Sequence, residues 1–338
     1  MERLINIAVL GATGTVGNAV VEQLEEREYP VNQLFLLGSE NSDGETLMFK
    51  GKRHRVRLAQ NFDWTQVEIA IFCAGNEAAL TYIDDAKAAG CLVIDSSSAF
   101  ANEPDVAQVV PEINAGALAQ IQQSRIVVSP SSAVIAASLV LKSIQDEVGL
   151  SKVNITTYQS VSSAGKKGVA ALAGQTAKLL NAKPVEADFF SEQIAFNCLP
   201  LAGKLNENGY SQDEMLIASQ LPLVLNDPEV DVIPSCVIVP VFHGMSAVLH
   251  VETRYPLEIN EITAMIRDSQ GVELVEQDDE LATCVGHALG QDTVYVDRVR
   301  KNLANENGIQ LWFAIDNVRK GSATNLVQIA EQIGQFYL

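Results

Sequence analysis

The stretch Ser129-Pro-Ser-Ser132 follows an apolar segment, Ile126 to Val128, and precedes an apolar helix expected from about Ala133. Hydroxyls at a strand–turn–helix junction can serve two purposes. A serine ahead of a helix caps one of its orphan N–H groups. The same junction presents a side chain and helix amides to one point, which suits a nucleophile and a developing oxyanion. Serine needs a positioned base for that chemistry. The four histidines (His54, His243, His250, His287) and five cysteines (Cys73, Cys91, Cys198, Cys236, Cys284) have no metal-ligand spacing. The cysteines lie mostly in apolar runs and read as reduced core thiols, not as a disulfide framework.

The elements that would position this junction begin at the N-terminus. Asn6 to Leu10 reads as a buried strand, followed by Gly11-Ala-Thr-Gly-Thr-Val-Gly17 and an amphipathic helix to about Glu26. Glycine at 11 and 14 lets the backbone turn tightly toward a pyrophosphate, the helix offers its positive end, and Gly17 permits close helix–strand packing. Gly11, Ala12, Thr13, Gly14, Thr15 and Val16 are therefore candidate cofactor-binding residues for NAD or NADP. A second strand, Gln33 to Leu37, leads into a segment facing the adenosine ribose, where Ser39 is a further candidate. That segment carries Glu40, Asp43 and Glu45 and no Lys or Arg. A 2′-phosphate there would meet like charges at roughly 1–4 kcal/mol each for a separation of about 4 Å, which favours NAD; the alternative is that the acids point to water. Lys50 to Leu58 reads as a hairpin with a solvated basic face. Ala70 to Gly75 is another buried strand, with Gly75 bordering the cofactor. Ala79 to Ala89 reads as a helix, Cys91 to Asp95 as a strand and Ser96 to Ser98 as a loop. This alternation predicts a parallel, doubly wound sheet, with the Ser129–Ser132 turn at a strand C-terminus where such folds place ligands.

From Asn154 the pattern changes. Asn154 to Ser160 alternates as a strand, Gly165 to Gly168 reads as a turn and Val169 to Leu180 as a helix. Ile233 to Val241 and Ala247 to Glu252 read as paired strands, and Glu261 to Asp268 as a helix. The expectation is an α/β protein with a Rossmann-like dinucleotide-binding domain over 1–131 and an antiparallel α+β dimerisation/substrate domain over 132–320. A closing helix within about 321–338 is expected to pack back on the first domain. The chain of 338 residues is 47% hydrophobic and 19% charged, enough for substantial cores. A net charge of −19 argues against nucleic acid or an anionic membrane as partner. With no secretory leader and no spanning apolar run, a cytoplasmic protein is expected.

These motifs, in this order, resemble the aspartate-β-semialdehyde dehydrogenase family over essentially the whole chain. The matching stretches are GATGTVG (11–17), VIDSSSAF (93–100), VVPEIN (109–114), TYQSVSSAGKKG (157–168), IAFNCLP (194–200), VDRVRK (296–301) and DNVRKGSATNLVQIAEQI (316–333). The resemblance implies an NADPH-dependent reduction of aspartyl phosphate through an enzyme thioester, in a dimer or tetramer. It also implies an Asn325 contact to the nicotinamide amide, although Asn325 may equally be read as pinning the last helix.

The family's chemistry does not carry over residue by residue. Its catalytic cysteine falls on Ser132, its histidine base on Met245, and its two substrate arginines on Ile238 and Ala101. Its E-x-x-K falls on about Gln220 and Leu223, and its 2′-phosphate arginine on about Asn41. Of the catalytic set, Gln159 alone matches. A missing base costs typically 10²–10⁴-fold, and without a nucleophile there is no thioester to act on. This pattern resembles the usg-type paralogues, which lack the catalytic cysteine.

Three readings follow. The first is a non-catalytic homodimer that retains dinucleotide binding. The second is an NAD(P)-dependent oxidoreductase acting on an uncharged aldehyde or acyl substrate, with Ser132 or His243 and Gln159; His243 lies on the strand parity of Met245. The third is a true aspartate-semialdehyde dehydrogenase of lysine, threonine and methionine biosynthesis with relocated groups, Cys198 and Cys236 being the cysteines near family motifs. Cys198, inside IAFNCLP, is expected to be a core thiol.

Overall fold

The structure is a computed structural model that describes residues 3–276 and 280–338. The chain divides into two compact units, Met1–Ser131 with Ser322–Leu338, and Ser132–Gly321.

The first unit opens with β1 (Ile5–Leu10), α1 (Thr15–Glu26), β2 (Val31–Gly38) and the hairpin β3 (Thr46–Phe49) and β4 (Lys52–Leu58). It continues with β5 (Ile69–Phe72), α2 (Asn76–Ala88), β6 (Leu92–Asp95), β7 (Ala107–Gln108), two short helices α3 (Pro111–Asn114) and α4 (Ile121–Ser124), and β8 (Ile126–Val128). The eight strands lie in the order β3-β4-β2-β1-β5-β6-β8-β7. All neighbours run parallel except the β3–β4 hairpin. Strands covered on both faces must be apolar throughout, and β5, β6 and β8 are buried at every position. One face carries Ile7, Val9, Ile71, Ile94 and Val127, and the other Ala8, Leu10, Ala70, Phe72, Val93 and Ile126. The order reverses between β1 and β5, so the crevice beyond their C-terminal ends is the place where such a sheet binds ligands.

The second unit begins with the helix α5 (Ser132–Val148), then β9 (Leu150–Gln159), α6 (Gly165–Leu180), α7 (Gln212–Leu225), β10 (Asp231–Ile238) and β11 (Met245–Thr253). It ends with α8 (Ile259–Arg267), β12 (Val272–Leu274), β13 (Val294–Lys301) and β14 (Gly308–Ile315). Two expectations need correction here. The sheet, in the order β10-β9-β11-β14-β13-β12, is mixed and not antiparallel: β10 runs parallel to β9, and β12 to β13. Consequently β10 and β11 do not pair with each other, because β9 lies between them. A strand's alternation shows that it is half buried and says nothing of its neighbour. Likewise Gly165–Gly168, expected as a turn, is the first turn of α6.

Local capping fixes α7 beside β10. Ser211 and Glu214 form a reciprocal capping box, and Glu214 Oε1 also accepts the Cys236 N–H at 2.9 Å. The closing helix α9 (Thr324–Phe336) belongs to the first unit, where Tyr29 Oη donates to Ala330 O at 3.0 Å and Arg27 grips Glu331 with two bonds of 2.7 and 2.8 Å. Among the described residues, no helix is long and apolar enough to cross a membrane.

Candidate functional site

In the first unit, a cleft of about 560 Å³ opens at the switch point of the sheet. Gly11, Thr13, Gly14, Gly38, Ser39 and Ser42 line one side, and Cys73, Ala74, Glu77, Ala78, Thr81 and Tyr82 the other. The glycines are structural necessities. Gly11 has φ +82, and a Cβ on Gly17 would stand 2.2 Å from Gly11 O. The N-terminus of α1 has Gly14 at its cap and no side-chain cap bond, so its amides are left for an anion. These features fit the pyrophosphate of a dinucleotide.

The candidate residues are not equivalent. Gly11, Thr13, Gly14 and Ser39 line the cleft, whereas Ala12 is wholly buried and Val16 packs on the core. Thr15 opens α1, and Gly75, at φ +81, is the N-cap of α2. Asn325 is wholly buried: its Nδ2 donates to Val109 O at 3.0 Å and Ser129 Oγ at 2.8 Å, while Oδ1 has no partner. Of the two readings of the acids after β2, the structure agrees with the one that keeps them out of the cleft. Gly38, Ser39 and Ser42 line the cleft, but Glu40, Asp43 and Glu45 do not. Asp43 lies 3.8 Å from Arg55, and Glu45 O accepts the Val56 N–H at 2.8 Å, because the segment already descends toward β3. The α2 side of the cleft carries no motif, so only folding reveals Glu77, Thr81 and Tyr82.

In the second unit, three positions separated by up to 86 residues in the chain form one row. Gln159 at the end of β9 pairs with Ile238 at the end of β10 and with Met245 at the start of β11. Their side chains leave the same face of the sheet, and all three are buried, at 7%, 5% and 4% exposure. The row's polar group is already committed. Gln159 hydrogen-bonds Asp213 of α7 and the Cys236 thiol, and its Nε2 lies 3.5 Å from Thr157 Oγ1. Burial raises the Asp213 carboxyl above the usual carboxylate range; Gln159 opposes that shift and Glu214 adds to it. Asp213 carries no sequence signal, since its partner is 54 residues away along the chain.

Ser132 is the first residue of α5 and not the residue before it. The residue before the helix is therefore Ser131, and the Ser132 hydroxyl donates to Asn317 O at 3.1 Å. Asn317 is fixed in turn, because its Oδ1 accepts the Gly244 N–H at 2.9 Å, next to Met245. A neutral hydroxyl spent on a backbone carbonyl has no base to activate it. His243 supplies none from the β11 face, because it is exposed in the loop before β11 and Gly244, at φ +89, intervenes. The parity assigned to His243 therefore fails.

The cysteines are also sorted by the structure, and none forms a disulfide. Cys198, expected in the core, is exposed, while Cys91 and Cys236 are buried. Cys284 is also near the row: a Cβ on Gly244 would meet its Sγ at 2.7 Å. Burial pushes the Cys236 thiol up to about 12, with Thr157 and Gln159 opposing. At that value only about one molecule in 10⁵ carries the thiolate at pH 7, so it is a poor nucleophile. In the native protein Cys198 is expected to be the first to react with a thiol reagent at pH 8. Cys91 and Cys236 should react only on unfolding, as followed by mass spectrometry of timed quenches. Cys236 labelling as fast as Cys198 would contradict the burial argument.

Comparison with known proteins gives a consistent result. The family profile described as "Semialdehyde dehydrogenase, NAD binding domain" matches residues 6–121, and "Semialdehyde dehydrogenase, dimerisation domain" matches residues 141–320. The chain is 46% identical over 337 residues to aspartate-semialdehyde dehydrogenase 2 of Vibrio cholerae, covering 100% of both. It is 41% identical over 331 residues to a USG-1 protein homolog of Azotobacter vinelandii, covering 98% of each. The crystal structure of aspartate semialdehyde dehydrogenase II from V. cholerae complexed with ASA matches with a TM-score of 0.97, covering 100% of both chains. On the cleft, the paired row and this agreement along its whole length, the chain belongs to the aspartate-semialdehyde dehydrogenase family.

Proposed function

We propose that this chain is a non-catalytic, homodimeric member of the family that keeps a dinucleotide cleft and has lost the thioester chemistry. One observation carries the reading: the hydroxyl at the nucleophile position is given to Asn317 O, while apolar Ile238 and Met245 flank Gln159. Loss of the base alone costs typically 10²–10⁴-fold. Two buried apolar residues also leave a substrate carboxylate without a cation, each lost charged hydrogen bond being worth roughly 1.5–3 kcal/mol. The dinucleotide is NAD in preference to NADP, a reading supported by a cleft lining that includes no Lys or Arg to pair a 2′-phosphate. The dimer forms through the half-exposed face of the second sheet, which carries Thr156, Val237, Val248 and the paired rings of Tyr158 and Trp312.

A preparation from a host lacking its own semialdehyde dehydrogenase tests this. It is expected to sediment as a dimer and to gain stability with NAD, by about 2.7 kcal/mol at a concentration of 100 Kd. It should turn over no aspartate semialdehyde with phosphate and either NAD or NADP. Steady turnover would overturn the non-catalytic reading. The second reading, an oxidoreductase for an uncharged aldehyde, is favoured by the apolar walls that Ile238 and Met245 give Gln159. It needs a nicotinamide cofactor, so it fails if neither dinucleotide shifts the melting temperature at millimolar concentration.

A further inference from the structure

Among the described residues of the first unit, Asp95 Oδ1, Gln108 Oε1 and Asn325 Oδ1 are sealed acceptors with no donor. Their residues are 0%, 6% and 0% exposed. Buried polar atoms are almost always paired, so such a group needs a reason. Asn325 belongs to α9, whereas strand register brings the other two together. Asp95 on β6 and Gln108 on β7 both pair with Val128 on β8. Their side chains therefore leave one face of the sheet, with Val128 between them. At a strand spacing of about 4.8 Å the two Cα atoms are about 10 Å apart, a span that a carboxyl and a glutamine amide can close between them.

Both residues already hold the loop that connects them, at opposite ends. Asp95 Oδ2 accepts the Ser97 hydroxyl at 2.6 Å, and Ser97 Oγ accepts the Ala99 N–H at 3.2 Å. Gln108 Nε2 donates to Ala101 O at 2.6 Å. Among the described residues, no cation acts on Asp95, whose carboxyl is moved by burial and by Ser97. The end of β5 brings Cys73, and its own loop brings Ser96 and Ser97. The strand ends of β7 and β8 bring Gln108, Val128 and Ser129. α2 turns Ala79, Ile83 and Ala86 inward; its Glu77, Asp84 and Asp85 are exposed, and Lys87 lies in its last turn, at the far end from the crevice. Two acceptors with no donor between them lack one hydrogen, and a carboxyl can supply it.

We propose that Asp95 and Gln108 form a proton-operated latch on residues 96–101, with Asp95 as a positioning residue for the crevice beyond β6. Ionised, Asp95 holds Ser97 alone. When it takes a proton from solvent on Oδ1, it donates that proton to Gln108 Oε1 and ties the two ends of the loop together. Burial, the largest influence, pushes the Asp95 carboxyl up to about 6, against the opposing Ser97 bonds. The folded protein thus binds this proton more tightly than the unfolded chain, whose aspartate titrates near 4. The latch's contribution to stability is full below about pH 4 and is lost as pH rises through about 6. The consequence for ligand binding rests on the dinucleotide reading; the latch itself does not.

The test is the melting temperature of the full chain and of its Asp95→Asn and Gln108→Leu variants from pH 4.5 to 8, with and without NAD. Wild type should lose stability relative to Asp95→Asn as pH rises through the step, and Gln108→Leu should move the step down by about one pH unit, a tenfold loss in proton affinity. Parallel profiles for wild type and Asp95→Asn, or an unmoved step in Gln108→Leu, overturn the latch. Should Asp95→Asn not fold, the protonated-carboxyl infrared band of wild type against Gln108→Leu decides the same point. NAD stabilisation that changes across the step supports the positioning role, and stabilisation independent of pH overturns it. No NAD effect at any pH defeats the dinucleotide reading, while the step measured without NAD still decides the latch.

Discussion

Replacing Ser132 with cysteine and Met245 with histidine is expected to create a thiol at position 132 that iodoacetamide labels about tenfold faster at pH 7 than the exposed native Cys198. The expectation rests on position. Residue 132 opens a helix of 17 residues, whose positive end favours a thiolate over a thiol. Met245 sits across from Gln159, directly after Gly244, whose N–H is fixed by Asn317, so a histidine there is held in place. Labelling as a function of pH, read site by site by mass spectrometry, gives the thiol's acidity directly. A rate at position 132 no greater than at Cys198 would show that the junction is not electrostatically prepared for a thiolate. Turnover of semialdehyde should still be absent in this double variant, because its carboxylate meets no cation. Adding Ala101→Arg and Ile238→Arg is expected to bring activity into the measurable range. Ile238 is 5% exposed and Ala101 3%, so both changes introduce charge where none is now paired. A circular-dichroism melt must accompany the assay to separate lost folding from lost chemistry.

The second large effect is expected from a single methyl group. Gly17→Ala should lower stability by about 3 kcal/mol or more, at or above the upper end of what overpacking usually costs. Most overpacked sites can yield by moving a side chain. This one cannot, because the new Cβ would lie 2.2 Å from the carbonyl oxygen of Gly11 and 2.8 Å from Ala12 Cα. The turn between β1 and α1 would have to open, and the phosphate cradle with it, so NAD stabilisation should disappear as well. Gly174→Ala is the control. Gly174 lies in α6 with nothing within 4 Å of its missing Cβ, and its replacement is expected to stabilise by about 0.5–1 kcal/mol. Urea unfolding midpoints of the two variants decide the matter. A Gly17→Ala protein as stable as wild type would mean that the strand–helix approach is looser than drawn.

The contrast between these glycines shows how far local pattern reaches. GATGTVG announces a tight strand–turn–helix, and continuous apolar runs such as Ile69–Phe72 and Ile126–Val128 announce a sheet covered on both faces. Those features follow from short-range sterics and from which side chains avoid water, and both are written in consecutive residues. The residues on which the proposed loss of chemistry rests are equally legible: a residue's identity needs no fold, and Ser132, Ile238 and Met245 stand where the resemblance expects cysteine, arginine and histidine. Less legible is what a side chain does once its neighbours arrive. Ser132 reads as the residue before a helix, yet it is the helix's first residue and donates its hydroxyl to Asn317, 185 residues away. Cys198 reads as core and is exposed, because an apolar motif in a long irregular segment need not be buried. Glu40, Asp43 and Glu45 read either as a charged ribose edge or as acids pointing to water, and only the fold shows that they do not line the cleft.

By itself, the sequence determined the α/β class, the glycine-rich strand–turn–helix and the family, because these depend on residue identity, spacing and short-range periodicity. The tertiary structure alone decided the placement of β9 between β10 and β11, and with it the row Ile238–Gln159–Met245. It also decided the commitment of Gln159 to Asp213, and the pairing of Asp95 and Gln108 across Val128. Strand order and register are set by the burial of whole faces against distant elements, and no local window of the chain contains that information.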